Sequence, residues 1–128
     1  MEQQRILVVD DEPVIHQLIQ ATLGGQYDLF FMRSGQTLNE ILEDLQPNLV
    51  ILDVRLPAVN GLEICRRIRA VKNFNSIPVI FLSALSGEDD AAHGMSVGGD
   101  YYMAKPFETT ELRRIVETLI CLTGSPAN

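Results

Sequence analysis

Acidic, hydroxyl and ammonium side chains follow four separate hydrophobic runs of this sequence, each near the point where the run ends. The acids Asp10–Glu12 follow ILVV, Asp53 closes LVILD, Ser83 closes PVIFLS, and Lys105 comes shortly after YYM. Neighbouring carboxylates repel one another and are driven towards protonation, so a group of them needs a compensating positive charge. Clustered carboxylate oxygens that leave room for water favour Mg2+. If these run ends meet in space, they predict a magnesium site.

The elements that must bring them together can be read from periodicity. Short apolar runs predict five strands: Arg5–Asp10, Tyr27–Met32, Leu49–Asp53, Pro78–Ser83 and Tyr101–Met103. Apolar residues at helical spacing predict helices over 14–19, 38–45, 62–68 and 112–120, and we expect their apolar stripes, Val14, Ile15, Leu18 and Ile19 in the first, to lie in the core. A polar helix is predicted over 88–97. Strands alternating with helices predict a parallel sheet covered on both faces. The C-terminal ends of parallel strands share one edge, where the functional crevice of such sheets lies, so the polar run ends should converge there.

Length and charge restrict the remaining classes. A chain of 128 residues suits one domain with one core, and 46% of it is hydrophobic. The net charge of -7 disfavours direct binding of nucleic acid or an anionic membrane. No apolar run is long enough to span a membrane, and the first residues do not form a secretory signal. Cys65 and Cys121 have no metal or redox spacing, so we expect reduced thiols in a cytoplasmic protein.

In its ordered motifs the sequence resembles the receiver domain of two-component response regulators. The motifs are VVDDEP, LVILDVRLPAVNGLEICRRIR, PVIFLSA and GGDYYMAKPF, and the resemblance covers about Arg5 to Leu122. It implies a receiver domain over residues 1–123, with 124–128 as a tail or the start of a linker. It also implies a flavodoxin-like α/β fold, in which five helices flank one doubly wound parallel sheet of strand order 2-1-3-4-5.

The resemblance also implies the ligands of the metal. Asp53 resembles the phosphoacceptor and contributes to the Mg2+ site. Asp11 resembles a direct magnesium ligand, and Asp10 either a ligand or the holder of a metal-bound water. The backbone carbonyl of Arg55 resembles a further ligand.

Three residues downstream resemble those that respond to the phosphoryl group. Ser83 matches the hydroxyl that hydrogen-bonds the group, and Lys105 matches the ammonium that pairs with it. Tyr102 matches the aromatic side chain that turns inward when the serine is drawn towards the phosphate. The bond between Lys105 and Pro106 is often cis in this family, and X-Pro is the bond type at which cis costs little.

The function that follows from the resemblance is a phosphorylation-dependent signalling switch. A histidine kinase or histidine phosphotransfer protein would supply the phosphoryl group, and the surface of the fourth helix, fifth strand and fifth helix would then change. That surface would control an output domain or partner, or a phosphorylation-dependent homodimer. The domain would be no metabolic enzyme, catalysing only its own phosphoryl transfer and slow autodephosphorylation. Arg55 and Leu85 offer no group to position water, which favours slow loss of the phosphoryl group.

Other interpretations remain open at this stage. The acids Asp10–Glu12 could merely cap the first helix. A phosphohydrolase of the haloacid-dehalogenase type would need a second aspartate where Arg55 lies, and a flavodoxin's phosphate would be repelled by the first acidic loop. A receiver-like interaction module could work without phosphorylation. The two histidines, His16 and His93, are predicted surface residues, and the arginines at 66, 67 and 69 a solvated helix face.

Overall fold

The computed structural model describes residues 3–84 and 88–123 of the chain. The strands are β1 (Arg5–Val9), β2 (Asp28–Met32), β3 (Leu49–Asp53), β4 (Val79–Ser83) and β5 (Tyr101–Ala104). The helices are α1 (Pro13–Leu23), α2 (Leu38–Leu45), α3 (Gly61–Ala70), α4 (Glu88–Ser96) and α5 (Thr109–Thr123), with a short 3-10 helix at Lys72–Phe74. All strand pairs are parallel, in the order β2-β1-β3-β4-β5. The predicted fold class and strand order are therefore confirmed.

Several element ends differ slightly from the sequence prediction. β1 ends at Val9, so Asp10 lies just beyond the strand, and β5 continues to Ala104. α4 ends at Ser96, one residue before the predicted end, and the 3-10 helix was not predicted. Leu85 and the predicted tail, residues 124–128, lie outside the described residues.

The interior strands β3 and β4 are buried along their whole length. Side chains of β3 alternate between two core layers, because neighbours on a strand point to opposite faces. Leu49 and Ile51 pack in the layer that includes residues of α1 and α5. Val50 and Leu52 pack in the layer that includes residues of α2 and α3. Helices on both faces explain why the sequence of this strand shows no polar alternation.

Helix α1 buries only part of its apolar surface. Ile15 and Ile19 pack into the core, whereas Val14 is 62% exposed and Leu18 is 37% exposed. The four residues were predicted to form one core-facing stripe, and for Val14 and Leu18 that prediction is wrong. Each lies one position before a buried isoleucine, so the helix turns it by about 100° away from the contact with the sheet.

The start of α3 is packed against the end of β3. Asn60 caps the helix, its side-chain oxygen accepting the N–H of Glu63 at 3.0 Å. The N–H of Gly61 donates to the carbonyl of Val54 at 2.8 Å, and any side chain at Gly61 would clash with the backbone carbonyl of Asp53. The hydrogen bond and the close approach together fix the backbone position of Asp53.

Two predictions about composition can be compared with the described part of the chain. Within residues 3–84 and 88–123, no helix combines the length and the apolar character needed to cross a lipid bilayer. Cys65 is buried, Cys121 is exposed, and both are free thiols, as predicted.

Candidate functional site

Three aspartates converge at the C-terminal edge of the sheet. Asp10 follows β1, Asp11 is the next residue, and Asp53 ends β3, which is hydrogen-bonded to β1. One carboxylate oxygen from each lies within 4.8 Å of the others. Asp10 and Asp53 are only 1% and 5% exposed, while Asp11 is half-buried. The sequence prediction that these acids form one cluster is confirmed by this geometry.

Lys105 brings a positive charge into the cluster from the other side. Its ammonium lies 2.6 Å from Glu12 Oε1, 2.8 Å from Asp10 Oδ2 and 3.2 Å from Asp53 Oδ2. Its backbone N–H donates to the carbonyl of Ser83 at 2.8 Å, tying the residue to the end of β4. The bond between Lys105 and Pro106 is cis, as expected.

Burial and charge act on the two central groups in opposite directions. Burial raises the pKa of Asp53, and the nearby charge of Asp10 raises it further, against opposition from Lys105. Burial alone would lower the pKa of Lys105, but its hydrogen bonds to Asp10 and Glu12 hold that pKa well above the ordinary value. The site therefore holds a fixed cation and a carboxylate that is costly to ionise without further positive charge.

Backbone amides orient both buried carboxylates. The N–H of Glu12 donates to Asp10 Oδ1 at 2.9 Å, and the N–H of Arg55 donates to Asp53 Oδ1 at 3.2 Å. In each case the donor lies two residues after the acid, a local turn that leaves the other oxygen directed at Lys105. The backbone of Arg55 is thus beside Asp53, and the use of its carbonyl as a ligand stays a prediction.

Ser83 and Tyr102 lie on the adjacent strands. Ser83 is fully buried at the end of β4, and its register partner on β5 is Ala104. The half-buried ring of Tyr102 lies 6.1 Å, centroid to centroid, from Phe81. A Cβ added at Gly94 of α4 would come within 2.9 Å of the Tyr102 ring, so the helix passes directly over it. The switch roles of Ser83 and Tyr102 remain predictions.

The donor set fits a magnesium ion. Three clustered carboxylates offer the hard oxygen ligands that Mg2+ requires, and Asp11 remains partly open so that water can share the coordination. A single ammonium cannot neutralise them together with Glu12. We conclude that Asp10, Asp11 and Asp53 are suited to hold a divalent cation.

Three contacts at or near the site escaped the sequence interpretation. Glu12 was predicted to be a third acid or a helix cap and no partner was expected, yet its carboxylate contacts Lys105, 93 residues away in the sequence. His16 was predicted to be an unpartnered surface residue, which is wrong. Its Nε2 lies 2.5 Å from the carbonyl oxygen of Asp10, and its ring lies 4.8 Å from that of Phe31. This contact could have been predicted from the four-residue spacing between Glu12 and His16, which places the histidine on the side of α1 that faces the loop after β1.

Arg69 also differs from the prediction. Arg66 and Arg67 are exposed and pair with Glu63, as expected of a solvated helix face. Arg69 turns the other way, and its guanidinium binds the carbonyls of Gly98 and Ile77 and the carboxylate of Asp100. Its position one residue after Ile68, a core residue of α3, explains why it faces the protein rather than the solvent.

Comparison with known proteins agrees with this geometry. A family model described as "Response regulator receiver domain" matches residues 6–117. The chain belongs to the response regulator receiver family. It is 36% identical over 117 residues to the DNA-binding dual master transcriptional regulator RpaA of Synechocystis, covering 91% of this chain and 48% of RpaA. Phosphorylation-dependent switching in two-component signalling is the general function of this family, which is regulatory rather than metabolic.

Solved receiver domains have the same fold. The receiver domain of the Francisella response regulator 1452 aligns with a TM-score of 0.86 and 28% identity, over 94% of this chain and 99% of its own. The receiver domain of the sensor histidine kinase PA1611 of Pseudomonas aeruginosa aligns with a TM-score of 0.84 and 32% identity, over 93% and 98% of the two chains. That structure is described with a magnesium ion coordinated in its active-site cleft.

This chain spans about half the length of the curated relatives it matches. Receiver domains work with histidine kinases and output domains, and those relatives include DNA-binding regulators, whereas PA1611 is itself a kinase. The family alone therefore does not select one output.

Proposed function

We propose that this receiver domain accepts a phosphoryl group on Asp53 from a histidine kinase or a phosphotransfer protein. The observation that carries the proposal is the meeting of three aspartates with the Lys105 ammonium at one edge of the sheet. An aspartyl-phosphate phosphohydrolase is disfavoured because Arg55 occupies the position where such enzymes carry a second aspartate. The flavodoxin alternative is disfavoured because the same acids would repel a cofactor phosphate.

Asp53 is the nucleophile in this proposal. A carboxylate oxygen of Asp53 attacks phosphorus, and the bond from phosphorus to the donor breaks with its electron pair staying on the donor. Held by Asp10, Asp11 and Asp53, Mg2+ would supply positive charge that favours the ionised carboxylate and the incoming phosphoryl oxygens. The amide of Arg55 holds one oxygen of Asp53, which orients the carboxylate for the reaction.

In this proposal Lys105 balances negative charge on the transferred group, and the Ser83 hydroxyl donates a hydrogen bond to it. The ammonium already lies 3.2 Å from Asp53 Oδ2, so a small movement brings it to a phosphoryl oxygen. Ser83 is at the end of the neighbouring strand β4, and its carbonyl accepts the backbone N–H of Lys105. A movement of either residue towards the phosphoryl group is therefore transmitted to the other.

The conformational output follows from what packs behind Ser83. Tyr102 lies beside Phe81 and beneath Gly94 of α4, where contact with the helix leaves little free space. Drawing Ser83 towards the phosphoryl group would open room for the Tyr102 ring and shift α4 relative to β5 and α5. That surface would control an output domain, a separate partner or a homodimer.

The lifetime of the phosphoryl group depends on access of water to Asp53. Arg55 is exposed beside the site and offers no carboxylate or amide side chain to position an attacking water. Leu85, the second residue invoked in the sequence analysis, lies outside the described residues. We infer slow loss of the phosphoryl group, which replacement of both residues by small polar ones should accelerate.

The test is phosphorylation by a small-molecule donor. The wild-type domain is incubated with acetyl phosphate and Mg2+, and its intact mass is recorded. We expect one phosphoryl adduct, with none in Asp53→Asn and very little when Mg2+ is chelated. Asp28→Asn, at the start of β2 on the opposite edge of the sheet, is the matched control and should behave as wild type.

The outcome separates two modes of action. An adduct that depends on Asp53 and Mg2+ supports a phosphorylated switch. Absence of an adduct with acetyl phosphate, phosphoramidate and a phosphorylated histidine phosphotransfer protein would instead favour an interaction module that works without phosphorylation. An adduct that survives in Asp53→Asn would place the acceptor elsewhere and contradict the proposal.

A further inference from the structure

Glu12 is the one member of the first acidic run to which the proposed reaction gives no task. It occupies the N-cap position of α1, yet its side chain makes no hydrogen bond to that helix. The simple interpretation of the acidic run as helix caps therefore fails for Glu12. Its carboxylate reaches Lys105 instead, at 2.6 Å, the shortest of the three contacts of that ammonium with carboxylates.

The backbone of Glu12 is fixed, although its carboxylate is open to solvent. Its N–H donates to Asp10 Oδ1, and its carbonyl accepts the N–H groups of Ile15 and His16. Its side chain is 52% exposed, compared with 1% for Asp10. When Glu12 separates from Lys105, water can therefore hydrate its carboxylate, and the separation costs little free energy. The buried carboxylate of Asp10 cannot be hydrated in this way.

Counting formal charges shows why release would matter. Mg2+ and the Lys105 ammonium together balance the three aspartates, so Glu12 is a surplus negative charge even before phosphorylation. A phosphoryl group adds about −1.5 to −2 charges at neutral pH and needs the same ammonium. Glu12 and the phosphoryl group must therefore compete for Lys105.

We propose that Glu12 is a positioning residue that holds the Lys105 ammonium in the unphosphorylated domain and yields it to the phosphoryl group. This inference rests on the proposed function of Asp53. Glu12 thereby sets how readily the site takes up a phosphoryl group. Removing its charge without changing its size frees Lys105 and strengthens binding of a phosphoryl mimic.

The experiment is a titration of the domain with beryllofluoride, a mimic of the phosphoryl group, in the presence of Mg2+ and followed by fluorine NMR. Glu12→Gln should lower the half-saturating concentration about two- to fivefold, the size expected for losing an exposed ion pair. Asp28→Asn removes the same charge far from the site and should leave the concentration unchanged. Equal half-saturation for wild type and Glu12→Gln would overturn the inference.

A double-mutant cycle tests whether the effect passes through Lys105. In a Lys105→Met background the further change Glu12→Gln should have no effect on beryllofluoride binding. An undiminished effect would mean that Glu12 acts only through its general charge, and would overturn its role as a positioning residue.

If Lys105→Met binds no beryllofluoride, a crystal structure of the wild-type complex decides the matter. We expect Lys105 Nζ to have left Glu12 for a fluorine atom. Retention of the short contact with Glu12 would contradict the inference. Wild-type domain that takes up neither beryllofluoride nor a phosphoryl group would refute the proposed function itself, a result distinct from normal wild-type uptake with no effect of Glu12→Gln.

Discussion

Two partly buried cations, Arg69 and Lys105, each bind groups from more than one segment of the described chain, but their partners differ in kind. Arg69 binds two backbone carbonyls, of Gly98 and Ile77, and the carboxylate of Asp100. Those groups belong to the segments flanking β4 and β5. Asp100 Oδ2 also accepts the N–H of Val79, so the cluster closes on itself. These groups already hydrogen-bond one another, so the proposed reaction gives none of them a new partner.

Among the described residues, the Lys105 ammonium contacts carboxylates only, those of Asp10, Glu12 and Asp53. The exposed Glu12 can exchange the ammonium for water, and the buried Asp10 and Asp53 can exchange it for another cation. Under the proposed function, a phosphoryl group replaces an acid as the partner of Lys105. A planar guanidinium with several directed donors suits the first arrangement, and a compact ammonium on a flexible stem suits the second. Arg69 therefore serves the stability of the fold, whereas Lys105, under the proposed function, serves an exchange of partners.

The largest expected effect is on Arg69. Arg69→Met removes its hydrogen bonds while keeping an unbranched apolar side chain, so the carbonyls of Gly98 and Ile77 lose the guanidinium donor. Asp100 keeps one of its two donors among the described residues, the N–H of Val79. We expect the free energy of unfolding to fall by about 2–4 kcal/mol in urea denaturation. Arg66→Met, on the exposed face of the same helix, should cost no more than about 0.5 kcal/mol. Equal effects of the two changes would remove the distinction drawn for Arg69.

The next effect concerns the backbone beneath the exchangeable cluster. Gly61→Ala places a methyl group against the carbonyl of Asp53, where neither backbone segment can easily move. We expect a loss of about 1–3 kcal/mol in unfolding free energy and slower phosphorylation. At Gly25 an added Cβ meets no atom of residues 3–84 or 88–123 within 4 Å, so Gly25→Ala should leave both properties unchanged or slightly raise stability. Normal phosphorylation of Gly61→Ala would show that the site tolerates movement of its backbone.

The smallest effect tests the strain within the Lys105 cluster. Because burial and Asp10 raise the pKa of Asp53 in the folded state, ionising Asp53 costs stability, and that cost appears as pH rises through the window above its ordinary pKa. In metal-free buffer at neutral pH, Asp53→Asn should therefore raise the melting temperature by a few degrees. The gain should shrink as pH falls towards the ordinary aspartate pKa.

Thermal unfolding of both proteins across that pH range, with a chelator present, measures the difference. Without the chelator, Mg2+ should reduce the difference in melting temperature at neutral pH, since the cation stabilises the ionised wild type more than a variant that has lost one of its three carboxylates. A melting temperature of Asp53→Asn below that of wild type at neutral pH would mean that attraction to Lys105 outweighs burial and the repulsion by Asp10.

Much of this arrangement could be predicted from the sequence. Period and strand length located all five strands, and the polar residues closing them located Asp10, Asp11 and Asp53 at one edge. These predictions succeed because the short, almost wholly apolar sequences of β3 and β4 are typical of strands buried on both faces. Parallel strands, in addition, place their C-terminal ends at one edge of the sheet.

The convergence of Lys105 with these aspartates was predicted as well, but its contact with Glu12 and the partners of Arg69 could not be predicted in the same way. Arg69 looks like Arg66 in sequence, and only the angle at which α3 lies on the sheet turns it inward. Glu12 and Lys105 lie in the loops after β1 and β5, which the fold brings together. No local sequence pattern predicts a contact between residues so far apart in the chain. Val14 and Leu18 were misassigned for the related reason that a helix with apolar residues around much of its surface does not reveal which side the core covers.

The most direct test of the central claim is to locate the acyl phosphate chemically. After phosphorylation with acetyl phosphate and Mg2+, borohydride reduces an aspartyl phosphate to homoserine. Trypsin, cutting after Arg33 and Arg55, then releases residues 34–55 for sequencing by mass spectrometry. We predict homoserine at position 53, dependent on Mg2+, with Glu40, Glu43 and Asp44 of the same peptide unchanged. Homoserine at Asp10 or Asp11, or at no position in a domain that carries the phosphoryl adduct, would contradict the account.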